Sequence, residues 1–240
     1  MTSRVIAIDG PSAAGKSSTA RAVARAVGFL HLDSGALYRG VTLGAIEDAS
    51  NAQRDQPILD PVALVREVER RRLTMRVTGP KFSVYMDERL ADGPIRGLQV
   101  PRLVSEVAAM PEVRTWVTAR VRELAEGRSV VVDGRDIGTV VFPEAGLKIF
   151  LTASAATRAE RRLIQRGEGI SAERLDQETE ALVARDTADT ARAVAPLTRP
   201  EDAIPLDGTR LSFEEQVEAI VAHARQVFGL AGETPTWGSC

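Results

Sequence analysis

The amino-acid sequence predicts an α/β fold in which a mostly parallel sheet is flanked by helices, and three apolar runs carry this prediction. Residues 5–8 form a short continuous run that is followed by a glycine-bearing turn and a helical pattern. Residues 130–132 and 147–151 are two further strand candidates, apolar except for Lys148 in the second, and each lies between helical patterns, as βαβ units require. Continuous apolar runs are typical of parallel strands, because such strands are buried on both faces.

The helix after the first run is predicted by its apolar periodicity. Ala20, Val23, Ala24 and Val27 fall at i, i+3, i+4 and i+7, a spacing that places their side chains on one helix face. Gly28 follows directly and is expected to cap the C-terminal end of this helix.

A fourth strand and a last helix are predicted near the end of the sequence. Residues 203–206 are the strand candidate, and Ser212 with Glu215 forms a capping box that opens the helix. Apolar residues then recur on one face until Gly229 ends the element. Residues 231–240 lack periodicity and are expected to be a flexible tail.

One stretch interrupts the α/β pattern. Residues 73–77, 82–86 and 88–91 carry apolar residues around turn-forming Gly-Pro and Asp-Gly pairs, which predicts a small antiparallel β insert at about 64–97. The remainder, 1–60 and 98–230, is expected to form one core, so that residues 1–230 make a single domain.

Composition excludes several classes of protein. The 240 residues are 44% hydrophobic and 27% charged with a formal charge of -2, which fits a soluble globular protein and leaves no excess of positive charge for a dedicated nucleic-acid binder. No apolar run approaches the ~18 residues of a membrane span, so we expect no signal peptide and no membrane partner. The single cysteine, Cys240, excludes an internal disulfide and favours a reducing, cytoplasmic location.

The turn after the first strand carries a phosphate-binding motif, G-x-x-x-x-G-K-[ST], which begins at Gly10 and ends at Ser17. In such P-loops the backbone N–H groups surround phosphate oxygens, the lysine, here Lys16, reaches the terminal phosphates, and the Ser17 hydroxyl can bind Mg²⁺. The residues predicted to bind ATP are Gly10, Pro11, Ser12, Ala13, Ala14, Gly15, Lys16, Ser17 and Ser18. The position of the motif between a strand and a helix makes it specific.

A P-loop alone does not define the activity. A GTPase would carry an Asn-Lys-x-Asp guanine reader, whereas the only asparagine, Asn51, is followed by Ala52. The Leu-Ser-Gly-Gly-Gln signature of transport ATPases is also missing from the sequence. These observations favour a phosphotransferase that acts on a small acceptor.

Three charged clusters beyond the P-loop could hold a polyanionic acceptor. Residues 33–39 and 133–136 each combine arginine with aspartate. Arg185, Asp189 and Arg192 are spaced so that they would share one helix face, with Asp189 placed to orient both arginines. The competing interpretation of that face is an exposed salt bridge.

Five ordered segments of the chain resemble bacterial cytidylate kinases, of the nucleoside monophosphate kinase group. They are residues 8–16, 32–39, 105–114, 133–143 and 192–197, and the resemblance extends over residues 4–228. It implies a P-loop NTPase core, a β insert in the domain that binds the monophosphate, and a helical lid at about 155–185.

The resemblance also implies site residues. The acceptor phosphate would lie against Ser34, Arg39, Arg135 and Arg192, the pentose near Arg185 and Asp189, and cytosine against Ser105, Arg114 and Asp136. A carboxylate suits the cytosine amino group and a guanidinium suits its ring acceptors. Tyr38 and Asp133 complete the predicted acceptor site, and the predicted catalytic residues are Lys16, Arg135, Arg185 and Arg192.

The lid would close over ATP through Arg158, Arg161 and Arg162, with Arg166 nearby. The alternative interpretation of this segment is a solvated helix. Mg²⁺ would accompany ATP at Ser17, and Asp133 would either act on the ion through water or only brace its loop.

The sequence thus predicts ATP-dependent, direct in-line phosphorylation of CMP and dCMP by a monomeric enzyme. Two alternatives stay open at this point. One is another P-loop kinase of small metabolites, such as a shikimate-like or dephospho-coenzyme A kinase, and the other is a non-catalytic, nucleotide-dependent regulator.

Overall fold

Eight strands form one sheet with helices on both faces in the computed structural model, which describes residues 4–230. The strands are β1 (Val5–Asp9), β2 (Leu30–Asp33), β3 (Thr74–Thr78), β4 (Lys81–Met86), β5 (Arg89–Leu90), β6 (Val130–Asp133), β7 (Leu147–Thr152) and β8 (Ile204–Asp207). The helices are α1 (Lys16–Val27), α2 (Ser34–Asn51), α3 (Pro61–Arg70), α4 (Val100–Val107), α5 (Pro111–Ala125), α6 (Ala155–Gln165), α7 (Ala172–Thr190) and α8 (Phe213–Phe228).

The predicted parallel sheet is confirmed. Its strand order is β3-β4-β2-β6-β1-β7-β8, and the pairs β2–β6, β6–β1, β1–β7 and β7–β8 are all parallel. Strand β2 was not among the predicted strands. It has four residues and leads without a break into α2, so no turn separates it from the next element.

The insert is antiparallel, as predicted, and it extends the main sheet. β4 pairs antiparallel with β3 and β5, and it also meets β2 in parallel through His31 and Lys81. The insert is therefore hydrogen-bonded to the strand that ends at Asp33.

Side chains of β1 alternate between two apolar cores. Val5 and Ala7 belong to the core that includes residues of α2 and α5, whereas Ile6 and Ile8 belong to the core that includes residues of α1 and α8. This period-2 alternation is what a strand covered by helices on both faces requires.

The predicted helix ends are present. Gly28 and Gly229 cap α1 and α8 in the left-handed conformation, and Ser212 and Glu215 form both hydrogen bonds of the capping box. Among residues 4–230 no helix is long and apolar enough to cross a membrane. The predicted tail, with Trp237 and Cys240, lies outside the described residues.

Candidate active site

Aspartates end three neighbouring strands at the carboxyl edge of the sheet. Asp9 ends β1, Asp33 ends β2 and Asp133 ends β6, and Asp33 and Asp133 are paired in register. All three side chains are buried. Ligands of open α/β sheets bind at this edge, where the connecting loops leave the strands.

The P-loop lies directly beyond β1. Gly10 has a φ of 150°, and a Cβ at this position would lie 1.9 Å from the carbonyl oxygen of Leu151, so no other residue fits without moving the backbone. Gly15 precedes the first residue of α1 and provides no side-chain cap. Because glycine has no side chain, the N-terminal N–H groups of α1 receive no side-chain cap from this position and can serve phosphate oxygens.

Lys16 is buried, and its ammonium donates to the carbonyl oxygen of Pro11 at 2.6 Å. Burial and the positive charge of Arg135 lower the pKa of Lys16, while nearby carboxylates oppose that shift. The structure thus brings the P-loop lysine close to an arginine of the predicted acceptor site, which is 119 positions later in the chain. A shared polyanion would relieve the repulsion between the two cations.

A chain of side chains connects the P-loop to β2. Ser17 Oγ donates to Asp133 Oδ2 at 2.5 Å, and His31 Nε2 lies 2.7 Å from Asp133 Oδ1. Although burial works to raise it, the pKa of Asp133 is lowered by hydrogen bonding and charge from His31 and by the hydrogen bond from Ser17. Sequence reasoning missed His31, since only the folded sheet places β2 beside β6.

These oxygens fit a magnesium ion. Because the Ser17 hydroxyl gives its proton to Asp133, its lone pairs are free to face a cation, and Mg²⁺ prefers oxygen ligands. Residues 4–230 contain no cluster of three or more histidine, cysteine or acidic side chains that could hold a metal by themselves. In general, Mg²⁺ is bound by few protein ligands together with substrate phosphates and water.

The predicted lid arginines contact protein groups. Arg158 is buried and donates to the carbonyl of Ser12 and to Asp186. Arg161 donates to the carbonyl of Gly208 at 2.7 Å. Arg162 and Arg166 both pair with Glu178 of α7, so α6 and α7 form one packed unit.

Ser34 and Arg39 lie at the start of α2. The Ser34 hydroxyl donates to the carbonyl of Asp133 at 2.8 Å, which joins the first predicted cluster to the second. Arg39 pairs with Asp33 at 2.5 Å, while its Nε is buried without a hydrogen-bond partner among the described residues. A buried donor without a partner is costly, which favours an anionic ligand here.

Asp189 orients two arginines, but the pair differs from the predicted one. It accepts from Arg135 Nε at 2.9 Å and also pairs with Arg192. The prediction that Arg192 shares a helix face with Arg185 and Asp189 is wrong, because α7 ends at Thr190. The chain then folds back, and the N–H of Leu197 donates to the carbonyl of Asp189 at 2.9 Å.

Arg185 donates no hydrogen bond to Asp189 within residues 4–230, and its Nε is buried without a partner. Burial and the nearby Arg135 lower the pKa of Arg185 to about 10. The guanidinium therefore stays charged near neutral pH in a place where charge is unfavourable. A bound phosphate would compensate it.

Arg114 and Asp136 form a buried ion pair beside Tyr38. Arg114 also donates to the carbonyl of Ala108 at 2.9 Å, and its guanidinium carbon lies 5.5 Å from the centre of the Tyr38 ring. Burial raises the pKa of Tyr38, which stays protonated. Ser105 lies on α4 and is partly exposed.

Asp9 is a further residue that sequence reasoning did not assign to the site. Its two carboxylate oxygens accept from the N–H groups of Ile137 and Gly138 at 2.8 and 2.7 Å, and thereby hold the π-helical turn that follows Asp136. Burial raises the pKa of Asp9 to about 6. Its place at the start of the P-loop turn could have drawn attention to it, but its partners are more than 120 positions away.

Known proteins resemble the chain over nearly its whole length. A family model described as cytidylate kinase matches residues 6–226. A cytidylate kinase of Streptomyces griseus is 41% identical over 224 residues, which cover 92% of each chain. One of Desulforamulus reducens is 42% identical and covers 91% of this chain and 95% of its own, and one of Enterobacter sp. is 39% identical and covers 95% and 97%.

Proposed function

The chain belongs to the cytidylate kinase family, and on that premise we propose how its residues carry out the reaction. The reaction is the ATP-dependent phosphorylation of CMP by a nucleoside monophosphate kinase. The alternatives, a kinase of other small metabolites and a non-catalytic regulator, find no support in the family match.

The unpartnered guanidiniums carry the proposal for the acceptor phosphate. Arg39 Nε and Arg185 Nε are buried donors without a protein acceptor among residues 4–230. Arg39 pairs with Asp33 at the carboxyl end of β2, and the charge of Arg135 acts on Arg185. In our proposal the phosphate of CMP accepts from these arginines and from Arg135 and Arg192, which Asp189 holds in place. Ser34 adds a hydroxyl at the start of α2.

The cationic site addresses the main difficulty of the reaction. The acceptor phosphate is largely dianionic near neutral pH, since its second pKa is about 6, and it needs no strong base. It must instead approach another polyanion, and loose phosphoryl-transfer transition states are stabilised mainly by positioning and charge. The positive charge of Arg135 lowers the pKa of Lys16, so the donor and acceptor cations act on each other through space. In our proposal the two phosphates lie between them and the transfer is direct and in-line.

Mg²⁺ belongs to the proposal as the ion that accompanies ATP. When bound, it would neutralise phosphate charge as a Lewis acid. Ser17 would hold it, and Asp133 would act from behind Ser17, with its own position set by His31. When no ion is bound, the same hydrogen bonds of Ser17, Asp133 and His31 would hold the P-loop in position.

Recognition of cytosine is assigned to Asp136, Arg114 and Ser105. Asp136 and Arg114 are paired in the structure, so each holds the other in a defined orientation. A carboxylate facing the amino group of cytosine would reject uracil, whose O4 carries lone pairs and no proton. Tyr38 supports the Arg114 guanidinium with its ring.

Our proposal extends the acceptor to dCMP and places a monomeric enzyme in the cytoplasm. The single cysteine supports a reducing compartment. Light scattering after size-exclusion chromatography measures the molar mass and so tests whether the enzyme is monomeric. Closure of α6 and α7 over bound ATP, which would exclude water, is part of the same proposal.

An acceptor panel tests the function. ADP release is measured with ATP, Mg²⁺ and CMP, dCMP, UMP, AMP or shikimate as acceptor. CMP and dCMP are expected to give the highest kcat/KM, with UMP well below them. Faster transfer to AMP or shikimate would contradict the acceptor assignment, and ATP binding without transfer to any acceptor would favour a regulator.

A further inference from the structure

Asp186 is not among the predicted site residues, yet its carboxylate lies against the P-loop. Oδ1 accepts from the backbone N–H of Ser12 at 2.9 Å, and Oδ2 accepts from Nη1 of Arg158 at 2.5 Å. Asp186 lies on α7 and is 174 positions from Ser12 in the chain. A side chain that directly follows the predicted lid therefore contacts the loop that is built to hold phosphate.

The surroundings of this carboxylate are those of a nucleotide phosphate. P-loops bind phosphate through backbone N–H groups and a lysine, and arginine adds charge where phosphate must be held. Asp186 accepts from a P-loop N–H group and from an arginine. Its charge is also one of those that act on Lys16.

Arg158 completes the arrangement. Its Nη1 also donates to the carbonyl of Ser12 at 2.8 Å, and its Nε donates to the carbonyl of Ala153 at 3.0 Å. Both backbone polar atoms of Ser12 are thus held, one by Asp186 and one by Arg158. The side chains of Arg158 and Asp186 are 7% and 17% exposed, so this is a largely buried contact and not a solvated surface pair.

We propose that Asp186 is a positioning residue of the donor site that occupies the Ser12 N–H group in place of a phosphate and is replaced there by ATP. The proposal rests on the donor site assigned above. A carboxylate and a phosphate oxygen cannot both accept strongly from one N–H group, and their like charges repel at that distance. Arrival of ATP therefore displaces Asp186 and leaves Arg158 available to the phosphates.

The exchange connects donor binding to the acceptor site. Arg185 and Asp189 lie on the same helix as Asp186, one position before it and three after it. While Asp186 holds Ser12, this part of α7 is fixed to the P-loop. Once phosphate has replaced Asp186, this segment of α7 is no longer hydrogen-bonded to the P-loop. The segment bears Arg185 and also Asp189, the carboxylate that holds Arg135 and Arg192.

A permanent brace would behave in the opposite way. If Asp186 kept its contacts when ATP is bound, removing it would loosen the P-loop and weaken binding of the nucleotide. If phosphate replaces it, removing it eliminates a competitor and tightens binding. Both interpretations expect the ligand-free protein to lose stability, because Arg158 would be buried without its carboxylate.

The experiment measures the Kd of the non-hydrolysable ATP analogue AMP-PNP, with Mg²⁺, by calorimetry on the full chain. The variants are Asp186→Ala and Asp186→Asn, and Asp176→Ala, an exposed acid of the same helix, is the matched control. We expect Kd to fall about tenfold in Asp186→Ala, as for the loss of one competing charge-assisted hydrogen bond, and less in Asp186→Asn, which keeps the shape. The Tm of ligand-free Asp186→Ala should fall, and Asp176→Ala should match the wild type.

An unchanged or higher Kd for AMP-PNP in Asp186→Ala would overturn the proposal. If Asp186→Ala does not fold, Asp186→Asn decides by the sign of its change in Kd. Wild-type protein that fails to bind AMP-PNP would instead overturn the donor site itself. Normal wild-type binding with no tightening in either variant would overturn only the role of Asp186.

Discussion

The donor and acceptor sides of the candidate site differ in how their cations are satisfied. On the donor side Lys16 donates to Pro11 and Arg158 donates to Ser12 and Asp186, so protein groups take the place of a ligand. On the acceptor side Arg39, Arg135 and Arg192 also pair with aspartates, but the Nε groups of Arg39 and Arg185 are buried without partners in residues 4–230.

This difference suggests how two polyanions can be brought together in order. On the acceptor side two guanidinium Nε donors have no acceptor within residues 4–230, and burying a donor without an acceptor is unfavourable. The donor side contains its own competing carboxylate. We infer that affinity for the acceptor phosphate is built into the ligand-free protein, whereas affinity for the donor is reduced until Asp186 moves.

The largest expected effect lies on the donor side. Lys16→Met removes the charge that is placed to follow the transferring phosphoryl group while keeping an unbranched side chain. We expect kcat to fall at least ~100-fold, as for the loss of one transition-state donor. Turnover is measured with saturating CMP and ATP, and circular dichroism checks the fold. Near-normal turnover in a folded variant would reject the donor site.

Asp189→Ala probes the acceptor side, where one carboxylate holds Arg135 and Arg192. With both guanidiniums released, the acceptor phosphate would be misplaced, and we expect kcat/KM for CMP to fall about 100-fold, the loss that a displacement of about 1 Å can cause. Asp176→Ala serves as a control on the same helix. If kinetics are unaltered, the arginine cluster does not hold the acceptor phosphate and the contrast between the two sides fails.

Asp136→Asn is a second test of the acceptor side. It probes recognition of the base, whereas Asp189→Ala probes recognition of the phosphate. The amide keeps the shape of the carboxylate but brings a donor, so CMP should be used less well and the gap to UMP should narrow by about 1 to 3 kcal/mol. Full reversal is not expected, because Arg114 and Ser105 stay in place. A CMP-to-UMP ratio of kcat/KM equal to that of the wild type would limit Asp136 to holding Arg114.

The smallest expected effect concerns His31, which acts on the donor side through its contact with Asp133, the hydrogen-bond partner of Ser17. His31→Leu leaves Asp133 without the partner that orients its carboxylate towards Ser17. We expect the gain in AMP-PNP affinity that Mg²⁺ provides to shrink about tenfold, as for loss of an outer partner of a metal site. His31→Gln, which can still donate, should restore part of it, and His223→Ala should have no effect. An undiminished Mg²⁺ effect in folded His31→Leu would make His31 purely structural.

Local pattern predicted the secondary structure around the P-loop well. The P-loop, its preceding strand and α1 are continuous in sequence, so residues 5–28 could be assigned from apolar spacing and two glycines. The acceptor side depends on contacts between distant segments. Its residues were identified through the family resemblance, and their mutual pairing was only partly predicted.

The errors have two physical causes. Spacing placed Arg192 on the helix of Arg185, but α7 ends at Thr190, so Arg192 leaves that helix face and pairs with Asp189 from the segment that follows. Asp9, His31 and Asp186 were missed because each acts on a partner more than 100 positions away. No local pattern records such contacts, since they arise only when the strands and α7 are assembled.

The contrast between the two sides rests on the unpartnered guanidiniums, and comparing CMP with cytidine tests it most directly. Calorimetry without ATP gives the affinity of each ligand for the wild type, Arg39→Ala and Arg185→Ala. We expect the wild type to prefer CMP by at least about 100-fold, and each substitution to reduce that preference about tenfold, the effect of one charge-assisted hydrogen bond. An equal preference in the wild type and both variants would contradict the account, because the phosphate of CMP would then lie elsewhere.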